Sequence, residues 1–370
     1  MALIRPLDRR TFLKGAGAAF LATLAPGAAE AIERSDMLFA SACDLPGGGS
    51  ACAVFDERGR ILSRIDLPDR GHDVTFDPVS RRAVVFARRP ATFAAVFDPR
   101  SGKAETTIVS QEGRHFFGHG FFSPDGALLY ATENDYDAAR GLIGVYDVRA
   151  GYSKIGEFET GGMDPHEALL MPDGETIVVA NGGIETHPDF GRQKLNLATM
   201  EPSLVFIRRR DGQILDKHVL PADLHQLSIR HLAVDAGGAV WFGCQYEGPE
   251  TERPVLAGCA RPGETLRLAD LDEAHVGALA NYVGSVACSR DGSRVAFASP
   301  RGNTVLVLDT ATGATIESLS LQEGCGLAPD ASLTGLMATG GNGAVCHLPD
   351  MAQTMRRAEV VWDNHILAFG

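Results

Sequence analysis

One phrase recurs along this chain: a short apolar strand, a tight Asp/Gly turn and a second apolar strand. It is read in "GHDVTFDPVSRRAVVFARR", "GHGFFSPDGALLYATEN", "PHEALLMPDGETIVVANGG", "RHLAVDAGGAVWFGCQ", "GSVACSRDGSRVAFASPRGN" and "GCGLAPDASLTGLMATGGNG". A third strand follows, as in "AAVFDPRSGK", "IGVYDVRAGY", "VFIRRRDGQ" or "VLVLDTATGA", with a turn into a fourth. Helical periodicity is almost absent. Four strands per unit at a spacing of about 45 residues is the period of propeller blades. Six units lie between Gly71 and Asp363. The N-terminal runs "DMLFASAC", "ACAVFDERG" and "ILSRIDL" supply three strands of a seventh, and "HILAF" at the C-terminus supplies its innermost one. The pattern predicts an all-β, seven-bladed β-propeller, closed by the C-terminal strand joining the N-terminal strands. Closure of this kind hides two sheet edges that would otherwise be exposed.

Ahead of the repeat, "RPLDRRTFLKGAGAAFLATLAPGAAEA" combines Arg9-Arg10, Phe12, Leu13 and Lys14 with a short Gly/Ala-rich apolar stretch and an Ala29-x-Ala31 site. This reads as a twin-arginine export signal over residues 1–31, although Asp8 stands where Ser or Thr is usual. Its apolar run is too short, and too broken by Gly and Pro, to be a membrane span. The expected organisation is signal 1–31 and a single propeller domain 32–370, in the periplasm. A formal net charge of -13 has the wrong sign for gripping phosphate backbones or an anionic membrane, so no nucleic-acid partner is expected. Of the seven cysteines, the Cys43/Cys52 and Cys244/Cys259 pairs each flank a turn-rich segment, where a disulfide across a hairpin is one reading. Cys288, Cys325 and Cys346 read as small buried hydrophobes.

Placing the histidines on this frame concentrates them. His72, His119, His166, His231 and His365 each stand at the start of an innermost strand, in blades one, two, three, four and seven. His115, His225 and His275 fall in loops just before such strands, and His218 and His347 elsewhere. His187 lies in the 181–204 segment "NGGIETHPDFGRQKLNLATMEPSL", which joins a second strand to a third. Connections this long in compact domains are usually lids or binding loops, and this one should arch over the same face. Crowded imidazoles resist sharing charge, which keeps them neutral and able to ligate Zn, Cu, Fe or Ni. The candidate metal ligands are therefore His72, His119, His166, His187, His231 and His365, and the candidate ion is iron or copper, with zinc as an alternative. The competing reading is structural: a Gly-His corner whose ring bonds to neighbouring loops. Candidate ligand-binding residues on the same rim are Asn134, Asp135, Glu185, Asp189, Arg192, Gln245, Tyr246 and Asn281, with turn-forming roles as the alternative.

Several chemistries are absent from the sequence. "HEALL" at His166 lacks the second histidine of a zincin helix, no C-x-x-C-H is present for covalent haem, and no G-x-S-x-G elbow offers a nucleophile. No catalytic residue is assigned.

The phrases "NDYDAARGLIGVYD", "NGGIETHPDFGRQKLNLATMEPSLV", "HQLSIRHLAV", "NYVGSVA" and "WDNHILAF" resemble the family catalogued as domain of unknown function 1513, twin-arginine-exported bacterial propellers. The resemblance covers essentially the whole mature chain. It implies a role in periplasmic metal acquisition, with an imelysin-type iron-binding protein or a dihaem redox protein as partner. "DPHEALLMPDGETIVVANGG" is also similar to seven-bladed lactonases and quinoprotein-like propellers, which supports fold more than function. The expected function is a metal-binding propeller in a metal-uptake or redox system, its His cluster covered by the 181–204 loop. The alternatives are a lactonase-type hydrolase and a scaffold docking an iron-uptake partner.

Overall fold

The computed structural model describes residues 22–24, 27–35, 37–89, 91–348 and 356–369. Arg9 and Arg10, on which the export reading rests, lie outside these residues. Seven antiparallel sheets follow one another around a closed ring. Blades one to six each have four strands in chain order, with Gly71–Asp77, Arg114–Phe122, Pro165–Leu170, Leu227–Val234, Ser285–Cys288 and Gly324–Pro329 at one sheet edge. These edge strands pack on one another in sequence and so line the axis. In the seventh sheet Leu38–Asp44 pairs with Ser50–Asp56 on one side, and with Val361–Trp362 and Leu367–Phe369 on the other. The C-terminal segment thus supplies the innermost strand of a blade begun near the N-terminus, as the sequence predicts. A short strand, Ala22–Leu24, adds to the outer edge of this sheet on Ile61–Leu67.

The local chemistry explains the repeat. In the third blade Asp173 Oδ1 accepts the backbone N–H groups of Glu175 and Thr176, each at 2.8 Å, while Gly174 takes the left-handed conformation at φ 69°. Together they turn the chain between two apolar strands. Inner strands are buried on both faces because each sheet is sandwiched between two others. Outermost strands such as Thr315–Ser320 alternate half-buried and exposed positions. Cores form between blades: Phe206, Leu227, Ile229, Trp241, Phe242 and Phe297 share one cluster across blades three to five. Each such side chain contributes about 1.5–3 kcal/mol by leaving water.

The two hairpin disulfides are not formed, and all seven cysteines are free. Cys43 opposes Ala51 while Cys52 opposes Ala42. This one-residue offset sends the two thiols into different cores on opposite sheet faces. Cys259 likewise opposes Trp241 and not Cys244. Four further placements differ from the sequence expectation. His119 is the sixth of nine residues in Arg114–Phe122 and His231 the fifth of eight in Leu227–Val234, inside their inner strands and not at their start. His115 is the second residue of its inner strand, and His275 lies within the helix Glu273–Ala278, not in loops.

Candidate metal centre

The inner strands of blades one to four share an irregularity that the sequence pattern does not reveal. Pairing with the second strand slips between Gly71 and Val74, around the residue opposite Ala131–Glu133, between Pro165 and Glu167, and between Ile229 and His231. His72, His119, His166 and His231 sit in or beside these bulges. A bulge leaves an extra residue and re-aims its side chain. Here the rings converge, and His365 joins them from the closing segment.

His119 neighbours all four other rings: His72 at 4.9 Å between centroids, His166 at 5.2 Å, His231 at 6.0 Å and His365 at 4.6 Å. Two groups of three, His72/His119/His166 and His119/His231/His365, bring their ligating nitrogens within 4.8 Å of one another. All five histidines are buried. Close approach demands glycine beside them: at Gly118, with φ 112°, a Cβ would lie 2.5 Å from His72 Cδ2.

Four of the five rings face a charged group of a neighbouring blade, and for His72, His119 and His166 the contact is a hydrogen bond. Asp363 Oδ1 lies 3.2 Å from His72 Nδ1, Asp73 Oδ2 lies 3.1 Å from His119 Nδ1, and Glu167 Oε2 lies 3.4 Å from His231 Nδ1. Arg230 instead donates to His166 Nδ1 at 3.2 Å. A carboxylate on Nδ1 fixes the proton there and leaves Nε2 as a lone pair, whereas a guanidinium on Nδ1 leaves the proton on Nε2. His119 Nε2, both nitrogens of His231 and His365 Nε2 are buried without a hydrogen-bond partner among the described residues.

Burial is the largest influence on these rings. It holds His72, His166 and His231 well below the usual imidazole range, aided by neighbouring histidines and arginines. His365 is pushed down to about 3 by burial and then by His119. For His119 burial is outweighed by Glu167 and by the hydrogen bond to Asp73, so it is raised. Glu167 is itself raised to about 7, chiefly by burial. Four neutral imidazoles thus surround one that attracts a proton, with carboxylates behind them.

The remaining predicted residues are placed as follows. His187 is not brought to the cluster: its ring packs edge-on to Tyr136, with Nε2 3.3 Å from Asp137 Oδ1. Asn134 donates to His115 Nε2 at 3.1 Å and to Thr186 O at 3.3 Å, and Asp135 pairs with Arg140 at 2.9 Å. The Glu185 backbone N–H donates to Asn196 Oδ1, and the Asp189 N–H to His187 Nδ1. Tyr246 donates its hydroxyl to Glu252, while Asn281 donates to the Glu252 carbonyl at 2.9 Å. Gln245 forms a lone bridge with Tyr282. These residues tie rim loops together. Arg192 is exposed on the 181–204 segment.

Sequence reasoning missed Asp73, Glu167, Asp363 and Arg230. The signal was there: an acid follows the histidine in "GHD" and "PHE", an acid precedes it by two in "DNH", and an arginine precedes it in "RHL".

The architecture is similar to that of Kuenenia stuttgartiensis hydrazine synthase, with a TM-score of 0.60 and 14% identity over 83% of this chain and 89% of that one. A chain of a nidogen/laminin complex aligns with a TM-score of 0.48 and 15% identity, covering 77% of this chain and 93% of that one. The first likeness is one of fold alone. No curated protein sequence matches this chain. Residues 65–369 match the model of a family described as protein of unknown function (DUF1513), and with most of its length inside that match the chain belongs to that family.

Proposed function

We propose that this protein binds a single transition-metal ion at the axial histidines, with His119, His231 and His365 as its core ligands and His72 beside them. The observation that carries the reading is the set of buried Nε2 atoms on His119, His231 and His365 with no partner among the described residues. Orphaned buried nitrogens are costly unless something fills the role, and neutral imidazole is the ligand form, which burial favours for His231 and His365 and which His119 would reach by releasing its proton as the ion binds. His119 belongs to both histidine groups, yet Asp73 engages its Nδ1, leaving one nitrogen to ligate. This argues for one ion at a time. His166 accepts from Arg230 and so carries its own proton on Nε2; its part is to hold Arg230.

An all-imidazole set suits copper, iron or zinc, and Asp73 and Glu167 behind the rings supply negative charge to offset the cation. A bound ion would act as a Lewis acid or redox centre, and the chain's own residues orient the ligands and exclude water. The 181–204 segment leaves blade three and reaches its neighbours through His187 to Asp137, Gln226 to Leu197 O, and Lys194 to Glu247. It is assigned as a lid. Export by the twin-arginine route and service to a periplasmic iron-uptake or redox partner belong to the same proposal.

Elemental analysis of the purified full chain should give about one ion per molecule, of an affinity on the order of that of other imidazole sites. The His119→Ala/His231→Ala/His365→Ala variant should lose it while His166→Gln keeps it. An unchanged metal content in the triple variant would end this reading.

A further inference from the structure

The Arg230 guanidinium stands between the 181–204 segment and the histidine cluster, and its three neighbours hold it unequally. Nη1 donates to His166 Nδ1 at 3.2 Å. Nη2 lies 3.4 Å from Asp164 Oδ2 and 3.7 Å from Glu247 Oε1, at ion-pair distance but without a hydrogen bond to either among the described residues. A guanidinium bonded to a carboxylate is the stronger arrangement, because both partners are charged and the fork of donors matches two oxygens. Arg230 therefore rests in the weaker of two arrangements.

The surroundings of the two acids explain why. Asp164 takes the left-handed conformation at φ 55° and gives its carbonyl to the Gly182 N–H at 2.7 Å. A Cβ at Gly182 would lie 2.4 Å from Asp164 Oδ2, so this carboxylate is packed hard against the backbone. Glu247 is tied elsewhere: Lys194, carried on the 181–204 segment, holds its Oε2. Side-chain exposure falls along the series, from 35% at Lys194 to 9% at Glu247, 6% at Arg230 and 0% at Asp164. The series opens from its Lys194 end. Once Lys194 leaves, Glu247 keeps a largely desolvated charge whose remaining ion-pair partner is Arg230, and attraction is strong where water is excluded. Closing 3.7 Å to the roughly 2.8 Å of a charge-assisted bond is a movement of about 1 Å, and it draws the guanidinium off His166.

The consequence falls on one proton. While Nδ1 accepts from Arg230, the ring's own proton sits on Nε2; when Arg230 withdraws, that proton moves to Nδ1 and Nε2 is left with a lone pair. The ring neither gains nor loses charge. His166 lies 5.8 Å from His72 and 5.2 Å from His119 between ring centroids, and the ligating nitrogens of the three fall within 4.8 Å of one another. We propose that Arg230 and Glu247 are positioning residues through which the 181–204 segment determines whether His166 ligates the ion. With Lys194 seated on Glu247, His166 stays out of the ligand set; with Lys194 withdrawn, His166 joins His72 and His119, and the ion passes to a second trio that shares His119 with the first. Ligation by His166 rests on the metal reading above, whereas the movement of its proton does not.

Lys194→Met in the full chain, compared with wild type and with Lys194→Arg, tests this. Nitrogen NMR of the imidazole rings in chelator-stripped protein distinguishes the two tautomers. His166 should be protonated on Nε2 in wild type and in Lys194→Arg, and on Nδ1 in Lys194→Met. Copper(II) loading then reads the ligand set: His231→Ala/His365→Ala should lose the ion on the wild-type background and retain it when combined with Lys194→Met. A His166 proton that does not move in Lys194→Met overturns the inference. So does a moved proton with copper lost equally from both backgrounds, in a protein whose wild type binds it. A moved proton in a protein whose wild type holds no copper would sustain the link from Lys194 to His166 and remove the metal reading alone.

Discussion

Blades four and five stand side by side on one plan, but only one contributes to the centre. In blade four the inner strand slips in register between Ile229 and His231, and the spare residue is Arg230. In blade five Ser285–Cys288 pairs with its neighbour residue for residue, and no histidine is present. Blade six sharpens the lesson, because it slips too, between Gly324 and Leu327, yet carries Cys325 and Gly326. A Cβ at Gly326 would meet Ile366 Cγ1 at 2.5 Å, so this arc of the ring is filled by apolar packing. The bulge supplies a way to turn a side chain toward the axis, and the residue placed there decides what the axis holds. The histidine of blade six, His347, makes the contrast from outside. Its Nδ1 lies 3.1 Å from Asp330 and its Nε2 2.7 Å from the Glu57 carbonyl, so both nitrogens have partners.

That contrast is broken or upheld most strongly by acid. His72, His166, His231 and His365 are all lowered on folding, so the unfolded chain binds more protons once the pH falls below about 6.5. Their stabilisation is complete above that value and is lost as pH falls toward the folded values, about 3 for His365. Each group contributes up to about 1.4 kcal/mol per pH unit in that window. His347 and His119 are raised and act in the opposite sense: their contribution is full below about 6.5 and is lost as the pH rises through their folded values. Urea unfolding of the metal-stripped protein should therefore show stability dropping steeply from pH 7 to 4.5, by several kcal/mol. In His347→Gln the drop should be at least as steep. A flat profile would mean the axial rings are not buried as neutral bases.

A smaller effect separates orientation from ligation. Among the described residues Asp73 hydrogen-bonds to the proposed ligand set through His119 Nδ1, and its charge also favours protonation of His365. Asp73→Asn should weaken metal affinity by about 10- to 100-fold, the usual loss for a partner behind a ligand, while leaving stoichiometry intact. Metal competition against a chelator of known affinity reads this directly. The same assay on Asp330→Asn, which removes the partner of His347, should show no change.

The sequence made the ring legible and the centre half so. The Asp/Gly turns and the 45-residue spacing are local, so the blades and the closing "HILAF" strand could be counted without coordinates. The five convergent histidines followed from their place on or beside inner strands, although His119 and His231 sit within those strands and not at their heads. His187 did not, because a loop's path is set by contacts such as Asn196 with Glu185 N and Gly183 O, which no pattern announces. The cysteine pairs failed for a similar reason: a single step of register decides which sheet face a thiol takes. Arg230 was missed because an arginine beside a histidine reads as a solvated surface charge, and only closure of the ring brings it from blade four to His166 of blade three.

Gly118 offers the finest test of the geometry. It lies one residue before His119 in the inner strand of blade two, at φ 112°, a conformation that disfavours any side chain. It also lies against His72 of blade one, so two ligand-bearing blades meet at this position. Gly118→Ala would strain the backbone and drive a methyl group into the imidazole edge, which must rotate or retreat. The expected cost is about 1–3 kcal/mol in stability, as for other substitutions at positive φ or overpacked sites. Metal affinity should fall with it, because a displaced His72 no longer shares the space of His119 and His365. Gly151, at φ 69° with open space around it, is the matched control: alanine there carries the backbone strain without the collision. If both variants lose stability equally and both retain full metal affinity, the tight approach at Gly118 serves only the turn of the strand, and His72 stands outside the ligand set.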